Sequence, residues 1–252
     1  EPYTQVQQQV RAAPAKNVDE TGWKRAGKWL WVAATPNAAL FHIDRVRSWH
    51  GLQNLLGQWV QGVVCSDRYG VYDHLKLGRR AICWAHLKRD FQKWVDRGGS
   101  TVHLGKRGLA ITRKVCRLYG RYKGGGMDRA ALRRAVIPLR HHMRRLLAWG
   151  MNCGVKKAAD FCRRLKRHQR AMWTFARVEG IEPTNNHAER MLRPGVIWRK
   201  KSFGSHSEGG CRYAERMLTI IHTLRLHHRS AMAYLAAALT ASRPGSTIHA
   251  LV

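Results

Sequence analysis

Acidic residues are scarce in this sequence. Only 15 Asp and Glu stand against 46 Lys and Arg in 252 residues, a formal charge of +31 and a sequence pI near 11.2. A surplus of this size repels itself unless a polyanion neutralises it, so nucleic acid is the first partner to consider and an anionic membrane surface the second. Long apolar runs are also missing: no stretch approaches the roughly 18 residues that a spanning helix needs. The opening Glu1-Pro2-Tyr3-Thr4-Gln5 has no basic segment leading into an apolar one, which argues against a secretory leader. These absences predict a soluble, cytoplasmic protein with no membrane partner. The six cysteines (Cys65, Cys83, Cys116, Cys153, Cys162 and Cys211) form no CxxC pair and read as reduced and mostly buried. Cys83 and His86 have ligand-like spacing, but no second pair completes a zinc set. There is no internal repeat, and the lack of an initiating Met suggests a fragment or a processed chain.

What is present is ample apolar material, 44% of the chain, enough for one large domain or for a core with an inserted subdomain. Residues 1–15 are polar and Gln-rich and read as an arm or as the end of a helix. Strand signals follow at 16–21, 29–34 and 39–43, with turns at Arg25-Ala26-Gly27 and Thr35-Pro36-Asn37, and together they predict an antiparallel meander. A helix is expected from Ser48 to Val60 on the stripe Trp49, Leu52, Leu55, Leu56 and Trp59. A short buried strand then ends at Asp67, and a fifth strand at 80–84 leads into a helix over 86–95. Residues 16–96 are thus expected to form the first part of a core.

From 97 to 180 the pattern is helical throughout, with apolar stripes on Ile111/Val115/Leu118/Tyr119/Tyr122, on Leu132 to Leu147, and on Ala158/Phe161/Cys162/Leu165. Residues 97–178 hold 22 Lys or Arg against two acids, Asp128 and Asp160. A charge run is usually a solvated face, but eleven to one exceeds what solubility requires and favours a phosphate-contacting surface. Aromatics are not interleaved at regular spacing, so duplex backbone is the expected ligand rather than stacked single strand. Residues 181–252 complete the core and end in apolar helices from Tyr213 to Leu226 and from Ser230 to Leu239, the last stopping at Ser242-Arg243-Pro244-Gly245.

The chain is organised around Glu182-Pro183-Thr184-Asn185-Asn186-His187-Ala188-Glu189-Arg190. Thr-Asn-Asn is an N-cap signature, Ala188, Met191 and Leu192 form a buried stripe, and Pro194 should end or kink the helix. A bland reading pairs Glu189 with Arg193 at i+4. A meander, a helix and a parallel strand, however, open an RNase H-like mixed sheet, an α/β fold whose first and fourth strands are neighbours. Asp19 in the first and Asp67 at the tip of the fourth would repel unless cations lay between them. A glutamate from a later helix would complete a hard-oxygen site for two divalent ions. By strand alternation Glu20 is as eligible as Asp19, and Asp67 has a structural alternative as a turn former before Arg68-Tyr69-Gly70.

Val18-Asp19-Glu20-Thr21, Ser66-Asp67-Arg68-Tyr69, Cys83-Trp84-Ala85-His86-Leu87-Lys88-Arg89-Asp90-Phe91, and Asn185-Asn186-His187-Ala188-Glu189-Arg190 with Arg199-Lys200-Lys201-Ser202-Phe203 occur in this order. Together they resemble the bacterial transposases of the insertion sequence 66 family, from about Asp19 to Leu239. The resemblance implies an RNase H-like core with an all-helical insertion and C-terminal helices. It also implies DDE chemistry: DNA strand cleavage and strand transfer dependent on two Mg²⁺ or Mn²⁺ ions, acting on transposon ends and target duplex, with a homodimer on DNA. Asp19, Asp67 and Glu189 would be the catalytic metal-binding acids. Asn185, Asn186, Arg190, Arg199, Lys200 and Lys201 would contact DNA. Members of that family usually carry an upstream helix-turn-helix and cysteine-rich region, so the resemblance implies that the sequence, beginning at Glu1, is the catalytic part without it. The alternatives are a truncated, inactive remnant that only binds DNA, and an RNase H-like nuclease that uses water alone.

Overall fold

The alternation in the first 44 residues becomes three antiparallel strands, β1 (Ala15–Trp23), β2 (Lys28–Ala34) and β3 (Ala39–Asp44), in a computed structural model that describes residues 1–23 and 27–241. The register sets Asp19 opposite Val32 and Thr21 opposite Leu30, and Val32 in turn opposite Phe41. Of the expected turn at 25–27, Arg25 and Ala26 lie outside the described residues, as does the stop at 242–245. The chain is mixed α/β and divides into two compact units, Glu1–Gly62 with the described residues from Asn186 on, and Val63–Asn185.

In the first unit, one sheet face carries Trp23, Leu30, Val32, Phe41 and Ile43. They pack against Ala188 and Leu192 of α10 (Asn186–Ser202) and against Ala214 and Leu218 of α11 (Glu208–Leu226). Across the sheet, fully buried Trp31 meets α2 (Trp49–Leu56) at Gly51, where an added Cβ would lie 2.6 Å from the Val46 carbonyl. The edge of β3 is closed by side chains rather than by another strand. Glu215, Thr219 and Thr223, one turn apart on α11, accept hydrogen bonds from the backbone N–H groups of Ile43, Phe41 and Ala39 at 2.5, 3.0 and 3.2 Å. An i, i+4, i+8 row on a helix thereby serves alternate residues of a strand, removing a pairing edge. The polar start of the chain is a docked helix, α1 (Pro2–Ala12), which buries Val6 and Val10 and donates from the Tyr3 hydroxyl to Phe41 O at 3.0 Å.

The second unit begins with β4 (Val63–Ser66) parallel to β5 (Arg80–Ile82), with Cys65 opposite Ala81. α3 (Trp84–Asp96) and α4 (Thr101–Lys123) approach closely because of Gly105 and Gly108; a Cβ on Gly108 would sit 2.1 Å from the Phe91 ring. Then come α5 (Arg129–Ala135), α6 (Ile137–Met151), α7 (Lys156–Arg167), and the single turns α8 (Gln169–Met172) and α9 (Thr174–Arg177). Trp84, Trp173 and Phe175 form an aromatic centre, with Trp84 and Trp173 edge to face at 5.0 Å and the Trp84 indole donating to Met172 O at 2.8 Å. All six cysteines are free thiols.

Three local expectations need correction. α2 stops at Leu56 because Gly57 takes φ 89, which leaves Trp59 87% exposed rather than on the apolar stripe. Of the two outcomes expected at Pro194, an end or a kink, the end does not occur: α10 runs through it to Ser202. The carbonyl that a proline nitrogen cannot serve lies four residues back, at Arg190, which is exposed and open to solvent. α11 starts at Glu208, five residues before the expected Tyr213, where the Ser207 hydroxyl accepts from Gly210 N–H at 3.0 Å. Ala231–Ala241 forms α12, and no helix of the described residues is long and apolar enough to cross a membrane.

Candidate active site

Alternation along β1 separates two neighbouring acids. Asp19 shares a face with Thr21 and Trp23, the face that α10 covers, and is half-buried; Glu20 points to the other side. There the Glu20 carboxylate, nearly sealed from solvent, accepts from Arg47 at 3.0 Å (Nε) and 2.7 Å (Nη2). Arg47 also lies over the Trp29 ring at 4.7 Å. Glu20 therefore has a structural occupation that the sequence could not assign.

Glu189 is the fourth residue of α10, half-buried beside Ala188 of the core. The fold fixes this helix at three points. Near its start, His187 Nε2 hydrogen-bonds Thr35 O at 2.8 Å. Midway, Gly195 lets the backbone approach Leu30, whose Cδ2 would lie 2.4 Å from an added Cβ. Towards its end, Arg199 donates to Thr21 Oγ1 at 3.2 Å and to Gly22 O. Asp19 and Glu189 are thus held on the same side of this unit, one on the strand and one on the helix that covers it. Arg193 forms no ion pair with Glu189, so the i+4 pairing that the sequence allowed is not made.

On the solvent side of α10, Asn186, Arg190, Arg193, Ile197, Lys200 and Lys201 are all exposed. They recur at helical spacing as one exposed stripe, four of whose six residues are cationic. Arg193 belongs to it although its sequence signal pointed to Glu189. Arg199 lies apart from this stripe, half-buried and tied to the end of β1.

In the other unit Asp67 follows β4, and its Oδ1 accepts from Tyr69 N–H at 2.8 Å, the Asx turn that was its structural alternative. Its main-chain carbonyl takes bonds from Ser66 Oγ at 3.0 Å and from buried Arg80 at 3.3 Å. The strand tip is therefore rigid, while Oδ2 takes no hydrogen bond from the described residues. The segment ahead of α10 is anchored in this unit as well. Pro183 O accepts from Trp84 N–H at 2.7 Å, Cys83 Sγ from Asn185 N–H at 3.1 Å, and Thr184 O from Cys65 Sγ at 3.7 Å. Burial, then Cys83 and Glu182, push the Cys65 thiol far above its ordinary pKa, so it remains a neutral donor. Asn185 is fully buried and presents no surface to a phosphate.

Comparison with known proteins gives the family. The model of the family described as "Transposase IS66 family" matches residues 1–213. A protein of Sinorhizobium fredii (strain NBRC 101917 / NGR234), "Uncharacterized protein y4qI", is 28% identical over 213 residues, covering 76% of this chain and 38% of the relative. The chain thus spans well under half the length of that relative. No solved structure matches.

Proposed function

The chain belongs to the IS66 transposase family, and from that premise we propose that it is the catalytic part of a DDE transposase that cleaves DNA strands and transfers them to a target duplex. Asp19, Asp67 and Glu189 act as its metal-binding acids, and the core is RNase H-like. What supports this reading is that Asp19 lies on the sheet face that α10 covers and Glu189 on α10 itself, with Glu20 withdrawn into its ion pair with Arg47. The donor set consists of half-buried carboxylates, one of which, Asp67, is oriented by a backbone N–H while an oxygen stays open. Hard oxygens of this kind suit Mg²⁺ or Mn²⁺. When bound, a pair of such ions supplies Lewis-acid activation of an attacking oxygen and charge neutralisation at the leaving one.

The chain's own residues do the rest. Asn186, Arg190, Lys200 and Lys201, joined by Arg193, bind the phosphate backbone along the outer face of α10. Arg199 bonds to the β1 end and keeps α10 in register with Asp19. Asn185, expected on sequence grounds to touch DNA, is proposed instead to set the start of α10 from beneath. The partners are transposon ends and target duplex, with a homodimer joining two ends. The test is cleavage and joining of labelled duplex DNA with Mg²⁺ or Mn²⁺ at low salt, wild type against Glu189→Gln. Joined products lost in the variant are expected. Nicked products without joining would favour a nuclease, and tight binding without cleavage in both proteins a DNA-binding remnant.

A further inference from the structure

In the second unit a cavity of about 380 Å³ opens where α5, α6 and α9 meet, lined by Arg133, Arg134, Arg140 and Arg177 and by no acid. Arg133, Arg134 and Arg140 are exposed at its mouth, whereas Arg177 is half-buried and anchored by donating to Thr174 Oγ1 at 3.2 Å and Arg170 O at 3.3 Å. The two acids of residues 97–178 are engaged elsewhere: Asp128 accepts from Ala131 N–H at 2.6 Å and Asp160 from Arg163 at 2.6 Å. Trp173 lines the same cavity and is 2% exposed, so its ring forms part of the apolar wall. Burial, then the charges of Arg170, Arg140 and Arg133, pull the Arg177 pKa below the usual arginine range, the mark of cations gathered without a counter-charge.

We infer that this cavity is an anion site that takes a phosphate of a DNA backbone, with Arg133, Arg140 and Arg177 as its cations. Planar guanidinium forks match phosphate oxygens in pairs, and the cluster's mutual repulsion is relieved only when the anion enters. The DNA source rests on the proposed function; the anion chemistry does not.

The test uses the whole chain and two double variants of equal charge change. Arg133→Gln with Arg140→Gln removes two of the three exposed cations of the cavity, and Arg164→Gln with Arg167→Gln removes two cations from α7. Inorganic pyrophosphate is expected to raise the Tm of the wild type and of the α7 variant by a few degrees, and that of the cavity variant by less than half as much. An equal rise in both variants, or none in the wild type, would overturn the site. For duplex DNA, the cavity variant should bind at least about fivefold more weakly at low salt, with the slope of log Kd against log salt reduced by about one beyond the α7 variant. Unchanged DNA affinity alongside a lost pyrophosphate effect would overturn the DNA assignment and point to a free phosphate compound. A wild type that binds no DNA would defeat the transposase reading instead, with the pyrophosphate result still deciding the anion site.

Discussion

The helical stretch 97–178 and the rest of the chain differ sharply in charge balance. Outside that stretch, acids have assigned partners: Glu20 holds Arg47, Glu215 meets His42 at 3.0 Å and Ile43 N–H, and Glu208 pairs with Lys28 at 2.9 Å and Arg45 at 3.0 Å. Within it, 22 cations stand against two acids, while the remaining 170 residues hold 24 cations and 13 acids. Charge that is paired within the fold stabilises the fold; charge left over awaits a ligand. The comparison teaches where to look for each role, and it can be broken experimentally at several strengths.

The largest effect is expected at the proposed acids. Asp19→Ala, Asp67→Ala or Glu189→Ala should each lower metal-dependent cleavage by more than about 100-fold, since even changes to outer partners of metal ligands cost 10–100-fold. DNA affinity should stay level or tighten slightly as a negative charge is lost. Gel assays of cleavage and binding on the same samples check this, and substantial cleavage surviving all three changes would sink the assignment.

Glu20→Ala should do the reverse, reducing stability by about 1.5–3 kcal/mol because two charge-assisted hydrogen bonds from Arg47 are lost while Arg47 itself stays partly solvated. Cleavage per folded molecule should be retained; denaturant unfolding beside the activity assay separates the two neighbours in β1.

The acid limb of stability should depend on His222. Burial, then Arg225, push its pKa down to about 4, and it packs 5.7 Å from Phe41. The unfolded chain takes this proton near the ordinary pH of about 6.5, the folded chain only near 4. Stability is therefore full above 6.5 and falls as the pH drops from there to about 4, by on the order of 3 kcal/mol. His222→Gln should flatten that fall when Tm is followed against pH. His42 titrates in the other direction. Burial opposes its charge, but Glu215 and Asp44 outweigh burial and raise its pKa, so its contribution is present in acid and lost as the pH rises through that value.

The smallest effect is expected at the glycines that set helix approach. Gly195→Ala meets the flexible end of Leu30 and should cost about 1–3 kcal/mol, while Gly108→Ala meets the rigid Phe91 ring and should cost more. Tm values of the two variants rank them.

Much of this was legible in the sequence where periodicity carries the information. Strand-type runs bounded by turn residues located β1, β2 and β3, and apolar stripes located α4, α6, α7 and α10. Alternation placed Asp19 and Glu20 on opposite faces without saying which face the core would load. That depended on Arg47 and Trp29, distant positions with no sequence signal of their own. Pro194 left open whether the helix ends there or continues, because a proline rule describes an isolated helix. Here Ala188, Leu192 and Gly195 are seated on the sheet, and the helix persists across the missing N–H. The row of Glu215, Thr219 and Thr223 was equally invisible, since polar residues at i, i+4, i+8 ordinarily mark a solvated face. The cationic excess was plain in composition, but its focus on Arg133, Arg140 and Arg177 required the helices to be folded together.

The central claim, that Asp19, Asp67 and Glu189 serve one divalent metal site, is tested most directly by Mn²⁺ titration of the whole chain followed by electron paramagnetic resonance. Wild type should take up Mn²⁺, and Asp19→Asn, Asp67→Asn and Glu189→Gln should each weaken that uptake at least about tenfold. Uptake unchanged in all three variants, or absent from the wild type with and without duplex DNA, would contradict it.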